Sequence, residues 1–323
     1  MEFFILPFVV SLAISFFGSI VLIGAAPKFG LVDNPATSTH PGKLHKKPVP
    51  TGAGIVFWAS IVPVMIATLP FEKKFIGIAA GLTAAAVVGV LDDKFNLSPY
   101  LRLILNFLTA AIIVGAGVGI AFITSPFGGI IPLDTIRISF DFFGEHSILP
   151  IANIFALIWI VFVANMINWS SGVDGQIPGI VIITAIVLAL LSARFLSFDP
   201  AQIQLIKLAS ILVGSAAGFL IFNWHPAKIF PGYGVIVWGV LAATLAILAG
   251  AKVATAILIL AVPLADGAVS IFRRILKGRS PVWGDRGHLH HKLIDANFSP
   301  KQISLFYLLG SVILGALALN LSS

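Results

Sequence analysis

Long apolar stretches separated by short polar ones run the length of the chain; Ile180 to Leu191, Leu208 to Phe222 and Val253 to Leu264 are three of them. None shows the two-residue alternation of a membrane β-strand. In hydrocarbon a backbone must satisfy its own N–H and C=O groups, so runs of this kind predict helices. At roughly 20 residues per crossing, the pattern predicts ten, near 3–26, 51–70, 74–91, 100–120, 149–164, 176–193, 204–222, 234–249, 253–272 and 304–321. The first is not expected to be a cleaved leader, because it lacks a basic leading segment and a small-residue cleavage site. Residues 121–148 break the pattern. There Pro126, Gly128 and Gly129 precede an alternating Thr135-Ile136-Arg137-Ile138-Ser139-Phe140, which reads as a small extracytoplasmic β-hairpin. The expected fold is therefore an all-α integral membrane protein of about ten transmembrane helices, with 1–323 forming a single polytopic domain without repeats or low-complexity tracts.

Composition agrees: 58% of residues are hydrophobic and 10% charged, outside the usual balance of a soluble domain. Ten crossings place both termini and half the loops on known sides relative to one another. Fourteen of the 20 Lys and Arg then fall on one side, among them Lys43, Lys47, Arg102, Lys228, Arg273, Arg286 and Lys292. By the positive-inside rule that side is cytoplasmic, which implies a multi-pass protein of the cell inner membrane. The net charge of +7 mostly reflects this face, suited to anionic membrane lipids or phosphorylated substrates. No basic soluble segment is available to hold nucleic acid. His40, His45, His225, His288, His290 and His291 share the basic side, and His146 lies opposite. With no cysteine, no disulfide is possible.

Polar residues are costly in such a chain, so their clusters are candidate sites. The densest is Gly284-Asp285-Arg286-Gly287-His288-Leu289-His290-His291-Lys292, with acid, base and three histidines in nine residues. Its spacing differs from the i, i+4 pair of a helical zinc site; imidazoles and Arg286 facing a pyrophosphate make better sense. Asp92-Asp93 closes an apolar helix, either as a solvated pair before the capping Ser98-Pro99 or as carboxylates holding Mg²⁺ or a proton. Asn165 and Asn168 share a face if their helix persists that far. With Gly172-Val173-Asp174-Gly175 they form either a polar turn or a close approach to a ligand. Lys43-Leu44-His45-Lys46-Lys47 is either a topology signal or a phosphate-binding segment leading to a glycine-rich helix start. Trp224, His225 and Lys228 suit interfacial anchoring. Taken together, these groups suit phosphoryl transfer between an anionic soluble donor and an anionic lipid, where positioning and charge neutralisation supply most of the catalysis.

These motifs resemble the polyprenyl-phosphate N-acetylhexosamine-1-phosphate transferases. The resemblance runs from Gly30-Leu31-Val32-Asp33 to Ser299-Pro300-Lys301-Gln302. It includes Lys43-x-His45 with Pro48-x-Pro50, Asp92-Asp93, Asn165-x-x-Asn168, Phe222-Asn223 with Pro226-Ala227, Arg279-Ser280-Pro281, and the histidine block. That block is similar to the branch that begins O-antigen lipopolysaccharide and teichoic-acid linkage units. The resemblance implies transfer of GlcNAc-1-phosphate from a UDP-N-acetylhexosamine to undecaprenyl or another polyprenyl phosphate, releasing UMP at the cytoplasmic face. It implies Mg²⁺, with Mn²⁺ as the substitute, a lipid groove between helices, and a homodimer as one arrangement. By resemblance, Asp92, Asp93 and Asp174 are catalytic. Lys43, His45, Asn165, Asn168, Arg286, His288, His290 and His291 bind substrates, and Asp93, Asn168 and Asp174 hold the metal.

Two positions depart from the family pattern: Ser171 stands where Asp is usual, and Tyr233 where a metal-binding Asp is usual. A neutral phenol is a poor Mg²⁺ ligand. Two alternatives follow, a non-catalytic relative that binds lipid phosphate or partners and, remotely, a transporter. A transporter wants ionisable groups near the bilayer midplane; Lys207 and Asp266 come nearest, both toward helix ends.

Overall fold

The computed structural model describes residues 2–36, 47–124, 129–141, 145–249 and 253–321. It is mostly helical: α1 (Glu2–Ala25), α2 (Gly54–Thr68), α3 (Lys73–Phe95), α4 (Pro99–Gly115), α5 (Pro150–Trp169), α6 (Gln176–Phe195), α7 (Gln202–Asn223), α8 (Ile236–Leu248), α9 (Val253–Ile259), α10 (Ala261–Leu276), α11 (Leu289–Asp295) and α12 (Pro300–Leu321). Six of them, α1, α3, α5, α6, α7 and α12, are long and apolar enough to cross a bilayer, and shorter apolar helices cover Gly54–Thr68, Pro99–Gly115 and Gly232–Leu248. The protein is a multi-pass membrane protein.

The segment expected as one crossing over 253–272 is two helices. Pro263 has no N–H to offer the carbonyl of Ile259, so the ladder breaks between α9 and α10. The stretch expected to hold a single hairpin contains two antiparallel pairs. β3 (Phe122–Thr124) pairs with β4 (Ile130–Pro132), and β5 (Ile138–Asp141) with β6 (Glu145–Ile148). A third pair, β1 (Val32–Asp33) with β2 (Val49–Pro50), braces the entry to α2.

α8 is the central post. Every residue from Ile236 to Ala246 is buried, and Trp238 stacks on Phe57 with centroids 3.7 Å apart. Its indole donates to Ser215 Oγ at 3.0 Å, and Ser60 Oγ donates to the same oxygen at 2.8 Å. α1 lies against α7 through small residues: a β-carbon on Gly214 or Gly218 would meet the backbone oxygens of Phe8 or Leu12 at 2.4 and 2.5 Å. Such close approach is how helices pack where lipid removes the hydrophobic drive between them.

α3 and α4 are joined by only three residues. Asn96 caps α3 in the left-handed region at φ 50°, and Ser98 caps α4 by accepting from Leu101 N–H at 3.3 Å. This tight corner carries the end of α3, with its two carboxylates, to the start of α4.

Candidate active site

Asp92 and Asp93 sit in the last turn of α3, where the partial negative charge of the helix end disfavours anions. The fold answers with donors drawn from distant segments. Asp93 Oδ1 accepts Tyr233 N–H at 2.7 Å and Oδ2 accepts Gly52 N–H at 2.9 Å. Glycine makes this possible: a β-carbon at Gly232 would stand 2.3 Å from Asp93 Oδ2. Next to it, Gly234 packs on Gly54, where a β-carbon would come within 2.2 Å of the Gly54 nitrogen, and Gly89 packs on Gly234. Asp92 is buried and ion-paired to Arg102, Nε to Oδ1 at 2.5 Å, and also accepts Leu97 N–H at 3.1 Å.

Arg102 extends the cluster. Its Nη2 donates to Asn96 Oδ1 at 2.9 Å, and its guanidinium lies 5.1 Å from the centre of the Tyr233 ring. The Tyr233 side chain is 5% exposed, and its hydroxyl accepts from Asn106 Nδ2 at 2.9 Å. Asn106 reaches on to Asn165 Oδ1 at 3.4 Å. A continuous polar chain thus links α3, α4, the segment before α8, and α5.

One turn beyond Asn165, α5 ends at Trp169, and Trp169 touches a second cluster. Arg274 lies 4.8 Å over its ring, and the His288 ring meets it edge-on at 6.2 Å. Between the two, Asn168 is half-buried. The expected i, i+3 relation of Asn165 and Asn168 holds, because α5 persists to Trp169. In the loop that follows, Ser171 Oγ donates to the Asn168 carbonyl, so the hydroxyl standing for the family's Asp is used in a local turn. Asp174 Oδ2 accepts Ala227 N–H at 3.0 Å and lies 2.8 Å from His225 Nδ1, while Gly175 N–H donates to Asn223 Oδ1 at 3.0 Å. These bonds fasten the loop to the end of α7.

The histidine block is organised by a polar stripe on α10, where Asp266, Ser270, Arg273 and Arg274 recur at helical spacing. Asp266 accepts Leu289 N–H at 2.7 Å and faces His288 Nδ1 at 3.1 Å. The other ring nitrogen, Nε2, is 3.2 Å from Arg274 Nη2. A guanidinium only donates, so Nε2 accepts and the proton sits on Nδ1, toward Asp266. His288 is thus committed at both nitrogens. Asp285 accepts from Arg273 Nη2 at 2.8 and 2.7 Å, from Arg274 at 3.1 Å and from Gly287 N–H at 3.1 Å. Burial alone would raise its pKa, but the Arg274 bond and charge, the Gly287 N–H and the Arg273 bond together hold it well below the usual carboxylate range.

His290 packs directly on the loop: a β-carbon at Gly172 would be 2.2 Å from its Nε2. Burial, then the neighbouring His291 and His288 imidazoles, push the His290 pKa down to about 3. Near pH 7 it is neutral. His291 is buried with its ring 4.2 Å from that of His290. Arg286 faces outward and pairs with the exposed Asp295 at 3.2 Å.

The structure therefore gathers Asp92 and Asp93 with Asn165 in one cluster, and Asp174 and the histidines around the 168–175 loop. Lys43 and His45 lie outside the described residues. Sequence reasoning missed Arg102, Asn106, Arg274 and the tie from Asp266 to His288. Two signals pointed to them: Arg102 and Asn106 stand four apart in an apolar helix, and Asp266 through Arg274 form one helical stripe.

A Mg²⁺ site needs several hard oxygens converging on the ion, and Asp93, Asn168 and Asp174 were expected to supply them. Among the described residues no three His, Cys, Asp or Glu side chains converge. Both Asp93 oxygens accept backbone N–H groups, Asp92 Oδ1 is paired with Arg102, Asp174 Oδ2 is paired with His225 and Ala227, and the Tyr233 hydroxyl accepts from Asn106. As arranged here, with both Asp93 oxygens already accepting and Tyr233 in place of a carboxylate, these groups do not converge into a Mg²⁺ or Mn²⁺ centre.

The sequence profile of Glycosyl transferase family 4 matches residues 75–250. The chain is 28% identical over 317 residues to the probable undecaprenyl-phosphate N-acetylglucosaminyl 1-phosphate transferase of Bacillus subtilis (strain 168), covering 95% of this chain and 82% of that protein. It is 28% identical over 315 residues to the decaprenyl-phosphate N-acetylglucosaminephosphotransferase of Mycobacterium leprae (strain TN), covering 84% and 74%. Against the undecaprenyl-phosphate alpha-N-acetylglucosaminyl 1-phosphate transferase of Escherichia coli (strain K12) the figures are 25% over 307 residues, 90% and 77%.

Proposed function

The chain belongs to glycosyl transferase family 4, and on that premise we propose that it transfers N-acetylglucosamine 1-phosphate from its UDP derivative to a polyprenyl phosphate, releasing UMP. The supporting observation is the reach of the likeness: the B. subtilis relative aligns over 95% of the chain, a span that takes in both clusters. The non-catalytic and transporter alternatives are not favoured, since the relatives compared are named as transferases over the same span.

In this reaction an acceptor phosphate oxygen attacks the phosphorus that carries the sugar. The bond from that phosphorus to the UMP phosphate oxygen breaks, and a lipid pyrophosphate forms. A phosphomonoester has its second pKa near ~6, so the acceptor is mostly dianionic at neutral pH. Two dianions give two dianions, and no proton need move. The protein's task is to bring like charges together and hold them in line. We assign the acceptor to the pole around Asp92, Asp93 and Arg102, and the donor to the loop carrying Asn168 and Asp174 with His290, His291 and Arg286. Lys43 and His45 keep their proposed place at the substrates. The loop charge asymmetry supports ten crossings, an inner-membrane location, a cytoplasm-facing site and contact with anionic lipids; 1–323 would act as one domain, as monomer or homodimer.

Purified protein given UDP-N-acetylglucosamine and undecaprenyl phosphate should release UMP only when both are present. Failure of both together to release UMP sinks the assignment.

A further inference from the structure

We propose that Arg102 is the resident cation of the acceptor pole: its guanidinium binds the phosphate of the anionic lipid and does there the charge-neutralising work expected of a divalent ion. The inference rests on the transferase reading. Two carboxylates at the negative end of α3 would repel an incoming dianion, so fixed positive charge is needed beside them. Asp93 accepts two backbone N–H groups, and Asp92 holds the Arg102 side chain in place, Nε to Oδ1 at 2.5 Å. Among the described residues no three His, Cys, Asp or Glu side chains converge to hold a metal.

Arg102 is built to do this. It leaves the first turn of α4, just after the Ser98 cap, and is gripped on three sides by Asp92, Asn96 and the Tyr233 ring. A guanidinium carries five N–H bonds; with Nε turned to Asp92 and one Nη2 hydrogen on Asn96, three stay available in the planar fork that suits a phosphate. The side chain is 26% exposed, so a headgroup can reach it. Tyr233 belongs to this design. A carboxylate there would attract a metal, whereas an aromatic face supports a guanidinium. Its orientation is fixed by the Asn106 bond to the hydroxyl.

The test uses the full chain in nanodiscs with undecaprenyl phosphate and UDP-N-acetylglucosamine. UMP release is followed in EDTA and across a Mg²⁺ titration, while bound Mn²⁺ is counted separately by electron paramagnetic resonance. We expect wild-type turnover in EDTA within about threefold of that in Mg²⁺, and no stoichiometric Mn²⁺. Arg102→Gln should lower turnover about 100-fold, the order seen when one charged or oriented donor is lost from a transition-state site, with Arg102→Lys in between. Tyr233→Asp should gain a Mn²⁺ site. Unfolding midpoints of each variant without ligand separate a lost contact from a lost fold. Abolition of wild-type turnover by EDTA, one-to-one Mn²⁺ binding by the wild type, or full turnover in a folded Arg102→Gln would each overturn the proposal. A wild type inactive under every condition overturns the transferase reading instead, and the Mn²⁺ count still decides the metal question.

Discussion

The carboxylate pole and the histidine pole hold charge at the edge of an apolar protein by opposite means. Around Asp92 and Asp93 the network draws on Gly52, Arg102, Asn106, Asn165 and Tyr233, segments scattered over much of the chain. Around His288 almost everything comes from residues 266 to 295. The first pole is a product of the fold and depends on backbone N–H groups and glycine contacts. The second is a local side-chain network that leans on the rest of the protein through Trp169 and Gly172. Damage should therefore spread from the first pole into the fold and stay confined at the second.

The severest break is Gly234→Ala. Its β-carbon would fall 2.2 Å from the Gly54 backbone nitrogen, where no side chain can move aside, and overpacking of this kind costs about 3 kcal/mol or more. Little folded protein should survive detergent extraction, as read by size-exclusion yield. Gly287→Ala is the matched probe at the histidine pole. There the clash is with the Arg273 guanidinium, which can shift, so the fold should persist with a lower unfolding midpoint. Equal losses in the two variants would erase the contrast.

Asp266→Asn is next in size. It should loosen His288 and Leu289 together and raise the KM for the UDP-sugar more than it alters the lipid dependence. A selective effect on lipid saturation would move the histidine pole to the acceptor.

A smaller effect is set by pH. His290 is buried with its pKa pushed down to about 3, against an ordinary value near ~6.5. The unfolded chain therefore binds a proton that the folded chain refuses. Stability from this residue is complete above about pH 6.5 and is lost as pH falls toward 3. His290→Gln should flatten the fall in unfolding midpoint between pH 7 and pH 5; an unchanged slope would mean that the imidazole is hydrated. Least of all, Asp295→Ala should change stability by under about 0.5 kcal/mol, since its pair with Arg286 is solvent-exposed.

The same contrast explains what could be read from the sequence. Helices came from apolar runs, because burial in lipid is a property of the segment itself. The histidine block stood out because its partners are close in sequence, and even its hidden half, Asp266 to Arg274, follows one helical stripe. The carboxylate pole showed only its two acids. Nothing local in Gly52 or Tyr233 announces that their N–H groups end on Asp93, since such bonds exist only after α2, α3 and α8 have packed. For the same reason the sequence shows the Asp93 carboxylate but not the two backbone N–H groups that its oxygens accept. The split of 253–272 was legible in Pro263 alone.

The last turn of α5 acts as a ruler. Asn165 reaches the carboxylate pole and Trp169 the histidine pole, and four residues of helix fix their separation along the axis at about 6 Å. The turn is braced by α8, where Gly239 presses on Ala164, so this spacing cannot stretch with the loops around it. Two phosphates that repel must meet at one distance and in one line, and a length set in helical rise is indifferent to side-chain motion. Inserting a single residue between Asn165 and Trp169 would add only about 1.5 Å but swing one pole by about 100° relative to the other, leaving two intact half-sites that no longer face each other.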